Sequence, residues 1–376
     1  MSDASKRPHL CVLLGTRAQL IKMAPVMREL AARGQPYRLV LTGQHQETMP
    51  ELLREFGLRP PERTLWSGGE IRSSAMMLLW LMRCLLLLLL RPGHWLGPRR
   101  RTIVLVHGDT MSTLLGALAA RLSGRRVAHV EAGLRSHDWR NPFPEELTRR
   151  AVARLAHIAY CPGDWACREL SGHRSRRVDT GCNTIADSLK LALKASGDRS
   201  REQKPYFVVS THRFENLKNA ERLRFIVDLV LDLARETPAR FVLHPVTRRA
   251  LARHGHLDRL DRSAAIELLP RMGYTAFVRE LAGARFVLTD GGSNQEELSL
   301  LGIRTVLLRE ASERPDGLGN NVLLSGFDRG RIERFLREPA VTSGTELQDL
   351  GTPSRLIVDD LLSDGPPVRH PESGTP

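Results

Sequence analysis

Residues 102–110 read TIVLVHGDT: an apolar run, Thr102–Val106, that empties into a His-Gly-Asp-Thr turn. The run has the composition of a buried strand, so the polar groups after it stand at that strand's C-terminal end. The same arrangement returns roughly 180 positions later, where Phe286–Leu288 leads into TDGGSNQEE (Thr289–Glu297). Open parallel α/β sheets bind ligands outside the C-terminal ends of their strands. Two such edges in one chain predict two sheet domains facing each other across a cleft.

Outward from residue 102 the pattern alternates. His9–Leu14 (HLCVLL) reads as a strand, followed by the turn Gly15-Thr16-Arg17 and an amphipathic helix through Leu30. Tyr37–Thr42 is a second strand and Gln46–Phe56 a helix. Beyond Thr102–Val106 come a helix over Ser112–Leu122, a strand over Val127–Val130 and a helix over Glu145–Ala156. This βαβα order implies a doubly wound parallel sheet. Ala195–Lys204 carries no periodic pattern and marks a domain junction. The alternation then restarts: strands over Tyr206–Ser210, Phe241–His244, Ile266–Leu269, Phe286–Thr289 and Thr305–Leu308, with helices over Asn219–Arg235, Tyr274–Ala282 and Gln295–Leu301. Arg355–Leu362 is a last helix expected to pack back on the first domain, and Pro366–Pro376 a frayed tail. The expected division is 1–195, 196–342 and 343–376. Two α/β units of similar size, each Rossmann-like and doubly wound, are the organisation of GT-B proteins, which enclose a nucleotide sugar.

Composition limits the alternatives. A chain of 376 residues suits two domains of ordinary size, and 41% hydrophobic with 26% charged residues is a globular balance. The formal charge of +14 fits a nucleic acid, an anionic membrane surface or a phosphorylated small molecule. Aromatics make up only 5% and are not interleaved with basic runs, which argues against base stacking and a nucleic-acid partner. Five scattered cysteines with no CxxC pair argue against a disulfide framework or a cysteine zinc site. MSDASKRPHL has no apolar core for a signal peptide, so the chain reads as cytoplasmic. Ala75–Leu90 (AMMLLWLMRCLLLLLL) is apolar but broken by Arg83, and falls short of the about 20 residues of a bilayer span. It reads as a buried helix that also forms a subunit interface, which implies a homodimer; a membrane-surface helix is the alternative.

Several polar groups are placed for chemistry, each with a structural alternative. Gly15-Thr16-Arg17 enters a helix whose free N–H groups favour an anion, with Arg17 and Lys22 close by; Lys22 is otherwise a solvated helix charge. Gly291-Gly292 permits close backbone approach to a diphosphate. Glu296 and Glu297 are read in the first helical turn, as capping charges or with one of them on a ribose. Arg314, in Glu313-Arg314-Pro315, supplies a further cation. Asp109, Glu131 and Glu145 are acid and base candidates, and each position also suits a helix cap, Asp109 for the helix near Ser112. Carboxylates sharing one cleft repel and raise at least one pKa, which separates an acid from a base. His212, beside Arg213, is either a structural group or a ligand-edge residue. His107, His129 and Asp109 lack an HxxxH-type spacing, so no metal is expected.

Taken in order, GTRAQLIKMAP, GQH, HGDT, HVEAGLR, PEE, THR, GGSNQEE and ERP resemble the UDP-N-acetylglucosamine 2-epimerase family over nearly the whole chain. The resemblance implies a GT-B fold, a dimer, no metal or organic cofactor, and interconversion of UDP-N-acetylglucosamine and UDP-N-acetylmannosamine through elimination of UDP. It places Asp109, Glu131 and Glu145 among the acid and base groups and His212 near the diphosphate. Arg17, Lys22, Arg135, Arg213, Arg314, Gly291, Gly292 and Ser293 fall to UDP and substrate, Glu297 to the ribose, and backbone near Phe277 to the uracil. There are departures. TDGGSNQEE moves the serine of the usual TDSGGIQEE, Gln46 replaces an Arg, and His244-Pro245-Val246-Thr247 lacks the usual His and Asn-Pro. A hydrolysing 2-epimerase, a GT-B glycosyltransferase and a nucleotide-sugar sensor share much of this pattern.

Overall fold

The computed structural model describes residues 7–69, 71, 74–99, 101–138, 143–195, 206–312, 314–338, 347 and 349–363. The expected junction from 196 onward, Asn141, Pro142, Glu313 and the 366–376 tail lie outside these residues. The chain divides into two compact units, 1–188 with 351–376, and 189–350.

The first unit begins β1 (His9–Leu14), α1 (Arg17–Ala32), β2 (Tyr37–Leu41), α2 (Met49–Glu55) and β3 (Arg63–Thr64). It continues α3 (Ser74–Leu90), α4 (Pro92–Leu96), β4 (Thr102–His107), α5 (Met111–Leu122) and β5 (Arg126–Val130). Then follow α6 (Glu145–Leu155), β6 (Ile158–Cys161), α7 (Asp164–Glu169), β7 (Arg176–Asp179) and α8 (Ile185–Ala195), whose last residues enter the second unit. The strands form one parallel sheet in the order β3-β2-β1-β4-β5-β6-β7. Buried on both faces, β1 and β4 read as continuous apolar runs rather than alternating ones.

The second unit contains β8 (Phe207–Ser210), α9 (Phe214–Lys218), α10 (Ala220–Leu233), β9 (Ala239–Leu243), α11 (Pro245–Arg253) and α12 (Leu257–Asp261). It goes on with β10 (Ile266–Pro270), α13 (Tyr274–Ala282), β11 (Val287–Thr289), α14 (Gly292–Leu301), β12 (Thr305–Leu307), β13 (Val322–Leu324) and α15 (Arg329–Arg337). Its parallel sheet runs β10-β9-β8-β11-β12-β13. The fold is thus the expected one, two doubly wound parallel-sheet α/β domains. The last helix, α16 (Pro353–Leu362), belongs to the first unit. Its Asp360 receives Arg176 at 2.5 and 2.6 Å and the Tyr160 hydroxyl at 2.7 Å.

Helix α1 runs unbroken through Pro25, which has no N–H to offer the Ile21 carbonyl. The hydroxyl of Ser188, on α8 and fully buried, donates to that oxygen at 2.7 Å. At the other end of α1, Thr16 and Gln19 form a capping box. Gln19 Oε1 accepts from the N–H groups of Gly15 and Thr16, while its Nε2 donates to the His107 carbonyl at 2.7 Å and to Thr113 Oγ1 at 2.9 Å. One buried amide therefore ties the first turn to the turn after β4. Gly15 admits this approach, since a Cβ there would stand 1.9 Å from Ser112 Oγ.

Helix α3 packs Trp80, Cys84 and Leu88 into the core and leaves Leu78, Leu79, Met82, Leu86 and Leu90 more than half exposed. Among the described residues no helix is long and apolar enough to cross a membrane. Two of the differences from expectation bear on the site. Thr110, not Asp109, caps α5, accepting from the Thr113 N–H. Helix α14 starts at Gly292, so Glu296 and Glu297 fall beyond its first turn, buried rather than capping. The helix begins three residues earlier than the Gln295 expected from side-chain pattern.

Candidate active site

In the first unit the candidate groups gather at the C-terminal ends of β1, β4 and β5. Glu131 follows β5 with φ of 62°, a conformation uncommon for a residue with a Cβ, which costs about 1–3 kcal/mol and persists only where its surroundings impose it. They do so through its carboxylate. Oε1 receives Lys22 Nζ at 2.6 Å and Asn183 Nδ2 at 2.7 Å, and Oε2 lies 3.4 Å from His107 Nε2. Lys22 is 3% exposed, so the solvated alternative does not hold: its ammonium pairs with Glu131 inside the domain. The turn after Glu131 is fixed by Gly133, whose φ of 88° and close approach to the Ala166 carbonyl leave no room for a Cβ.

Asp109 and the start of α6 form a second cluster. Arg149 brings both Nε (2.8 Å) and Nη2 (2.7 Å) onto Asp109 Oδ2. Glu146, fully buried, accepts from Arg135 Nε at 2.8 Å, the Ser136 N–H at 3.1 Å and Arg150 Nε at 3.1 Å. Burial pushes the Glu146 carboxyl up, and the Ser136 N–H with the arginines outweighs it, leaving the group below the usual carboxylate range. The adjacent Glu145 differs: its Oε2 is buried with no hydrogen-bond partner among the described residues. Instead of three carboxylates facing one another uncompensated, Asp109 and Glu131 each have a cation of their own. His129 behind them has its pKa lowered by burial against the opposing Gly108 hydrogen bond and the Glu131 and Asp109 charges.

In the second unit the groups collect at the ends of β8, β9 and β11. Asp290, fully buried, accepts from the N–H groups of His212 and Arg213 at 3.0 Å and from Asn216 Nδ2 at 3.0 Å. This turns the 211–213 segment across the sheet edge. The His212 ring stacks on His244, centroids 4.6 Å apart. Ser210 Oγ and Thr211 Oγ1 are buried there with no partner among the described residues. Gly291 is the N-cap of α14 and Gly292 its first residue, beside exposed Ser293. Gln295 donates to the carbonyls of Arg314 and Asp316, both at 3.0 Å, which sets the Arg314 loop; Arg314 itself pairs with Glu296 at 2.9 Å. Glu297 is buried, Arg17 half-buried at the start of α1, and the Phe277 N–H is engaged by the Gly273 carbonyl within α13.

Asp109, Glu131, Glu145, Lys22 and Arg135 thus share the edge of one sheet, and His212, Arg213, Gly291 and Arg314 that of the other. Arg149 and Asn183 escaped the sequence reading altogether, whereas Glu146 in PEE, Asp290 in TDGGSNQEE and His244 in the 244–247 segment stood inside quoted motifs without being given a role.

A family model described as UDP-N-acetylglucosamine 2-epimerase matches residues 28–349. A UDP-N-acetylglucosamine 2-epimerase of Methanococcus maripaludis is 32% identical over 85% of this chain and 88% of its own length. That of Bacillus subtilis is 31% identical over 95% and 96%. Among solved structures, the Neisseria meningitidis UDP-GlcNAc 2-epimerase bound to UDP-GlcNAc superposes with a TM-score of 0.78 at 26% identity, covering 94% of this chain and 99% of that one. The Methanocaldococcus jannaschii enzyme in complex with UDP-GlcNAc and UDP gives 0.76 at 27% identity, over 94% and 99%. A family match over most of the chain and a fold shared from end to end lead to one conclusion: the chain belongs to the UDP-N-acetylglucosamine 2-epimerase family.

Proposed function

We propose that the protein interconverts UDP-N-acetylglucosamine and UDP-N-acetylmannosamine without hydrolysis. The observation that carries this reading is the Lys22–Glu131–Asn183 cluster at the end of β5, a carboxylate held in a costly backbone conformation by a buried cation and an amide. The C2 hydrogen of the sugar is weakly acidic, so its removal needs a positioned base and a stabilised leaving group at C1. A carboxylate takes the C2 proton as the C1–O bond breaks and its electron pair leaves with UDP, giving 2-acetamidoglucal. Return of UDP to C1, with a proton delivered to the opposite face of C2, yields the epimer.

In this reading Asp109, Glu131 and Glu145 supply the acid and base groups. His212, Arg213, Arg17, Arg314 and the Gly291-Gly292-Ser293 turn hold the diphosphate, with Lys22 and Arg135 ordering the carboxylates beside the sugar. Glu297 takes the ribose, and backbone near Phe277 the uracil. We further propose a homodimer through the exposed stripe of α3. Its one charged residue, Arg83, sets its guanidinium 5.4 Å from the Trp66 ring centroid and leaves the leucines uncharged neighbours for a second copy.

Proton NMR of the protein with UDP-N-acetylglucosamine in D2O tests the reaction. Deuterium at C2 with a UDP-N-acetylmannosamine signal is expected; free N-acetylmannosamine with UDP indicates hydrolysis instead, and no C2 exchange removes the substrate assignment. Glu131→Gln and Asp109→Asn should each lower the exchange rate by about 100-fold or more.

A further inference from the structure

We infer that Arg149 is a positioning residue for Asp109, and that Glu146 anchors it. The inference rests on the proposed reaction and deepens it. Arg149 lies one turn into α6, with its side chain 11% exposed. Two nitrogens of its guanidinium, Nε and Nη2, converge on Asp109 Oδ2, while Nη1 points to Glu146 Oε2 at 3.7 Å. Glu146 is in turn locked by Arg135, Ser136 and Arg150, which joins the turn after β5 to the start of α6. The planar guanidinium thus fixes Asp109 from one side. With Oδ2 occupied, Oδ1 has no partner among the described residues and is the oxygen presented to a substrate hydrogen. Asp109 does not cap α5, so its orientation rests on this contact rather than on the helix. A lysine would supply the charge but not the fork that spans two carboxylates.

The test uses the full-length protein with Arg149→Met and Arg149→Lys, read by C2 exchange kinetics and by crystal structures. Arg149→Met should lower kcat about 100-fold with KM within about threefold, the size of loss expected from displacing a reacting group by about 1 Å. Arg149→Lys should lose about tenfold in kcat, again at constant KM. In the Arg149→Met structure the Asp109 carboxylate should leave its position while the α6 backbone keeps its place. Wild-type kcat in either variant, a loss confined to KM, or an Asp109 carboxylate unmoved in the crystal would overturn the inference. If Arg149→Met fails to fold, Arg149→Lys decides on both readouts. If the wild-type protein exchanges no C2 hydrogen, the substrate reading fails, and the position of Asp109 in the variant crystals still decides the role of Arg149.

Discussion

His129 is a buried imidazole with one committed nitrogen. Its Nε2–H donates to the Gly108 carbonyl at 2.7 Å, and Nδ1 meets no partner among the described residues. Protonation would add an N–H with nothing to receive it, and burial places the folded pKa below the ordinary 6.5. An unfolded chain therefore takes up a proton below pH 6.5 that the folded chain refuses. Stability from this residue is complete above that value and is lost as pH falls from it toward the folded pKa. Glu146 has the same sign in a lower window: its stabilisation is present above the ordinary carboxylate value of 4.5 and is lost as pH falls through the depressed folded value. The melting temperature should accordingly decline in two stages on acidification. His129→Gln, which keeps a donor for Gly108, should flatten the upper stage and leave the lower one. An unchanged slope just below pH 6.5 in that variant would refute the assignment.

Helix α1 is where an element departs from its intrinsic preference and is repaired by a neighbour. Pro25 withholds the N–H that the Ile21 carbonyl requires, and the Ser188 hydroxyl supplies a donor from α8. Removing it leaves a buried carbonyl unsatisfied, so Ser188→Ala should cost about 1–3 kcal/mol in chemical unfolding. In a Pro25→Ala background, where the helix regains its own donor, the same change should cost less than about 0.5 kcal/mol; equal costs in both backgrounds would disprove the repair. The sequence made α1 legible through its capping turn and apolar face, yet nothing in it linked residue 25 to residue 188. The same limit applied elsewhere. Strands β1, β4 and β8, continuous apolar runs, were readable, whereas two-residue β3 and the half-buried β7 have no pattern to read. Helix α15 buries only Ile332 among its apolar residues and so shows mainly charge. At the site, the acidic motifs announced themselves by lying just past apolar strands. Their partners did not, because Arg149 meets Asp109, and Asn183 meets Glu131, only after the chain has folded back over 40 and 52 positions.

At the scale of the whole molecule, the apolar surplus of α3 is what the single chain leaves unsettled. One face of the helix carries Trp80, Cys84 and Leu88 into the core, all fully buried, and the other holds Leu78, Leu79, Met82, Leu86 and Leu90 at 58–69% exposure. A helix apolar on every side belongs in an interior, and an exposed apolar stripe of this kind marks an interaction surface. A second copy can cover it symmetrically, because the same stripe faces itself across a two-fold axis. Light scattering of the purified protein should therefore give a mass near twice 42.2 kDa. Leu86→Asp would place a carboxylate in the middle of that contact, opposite its own copy, and should shift the population to monomer while the core face of α3 stays packed. The variant's solubility should also rise relative to a wild type diluted below its dissociation constant, since the bared stripe would then carry charge. A wild-type mass of one chain, with Leu86→Asp indistinguishable from it, would remove α3 as a dimer face, and vesicle sedimentation with anionic lipid would then decide whether a membrane surface covers the stripe instead.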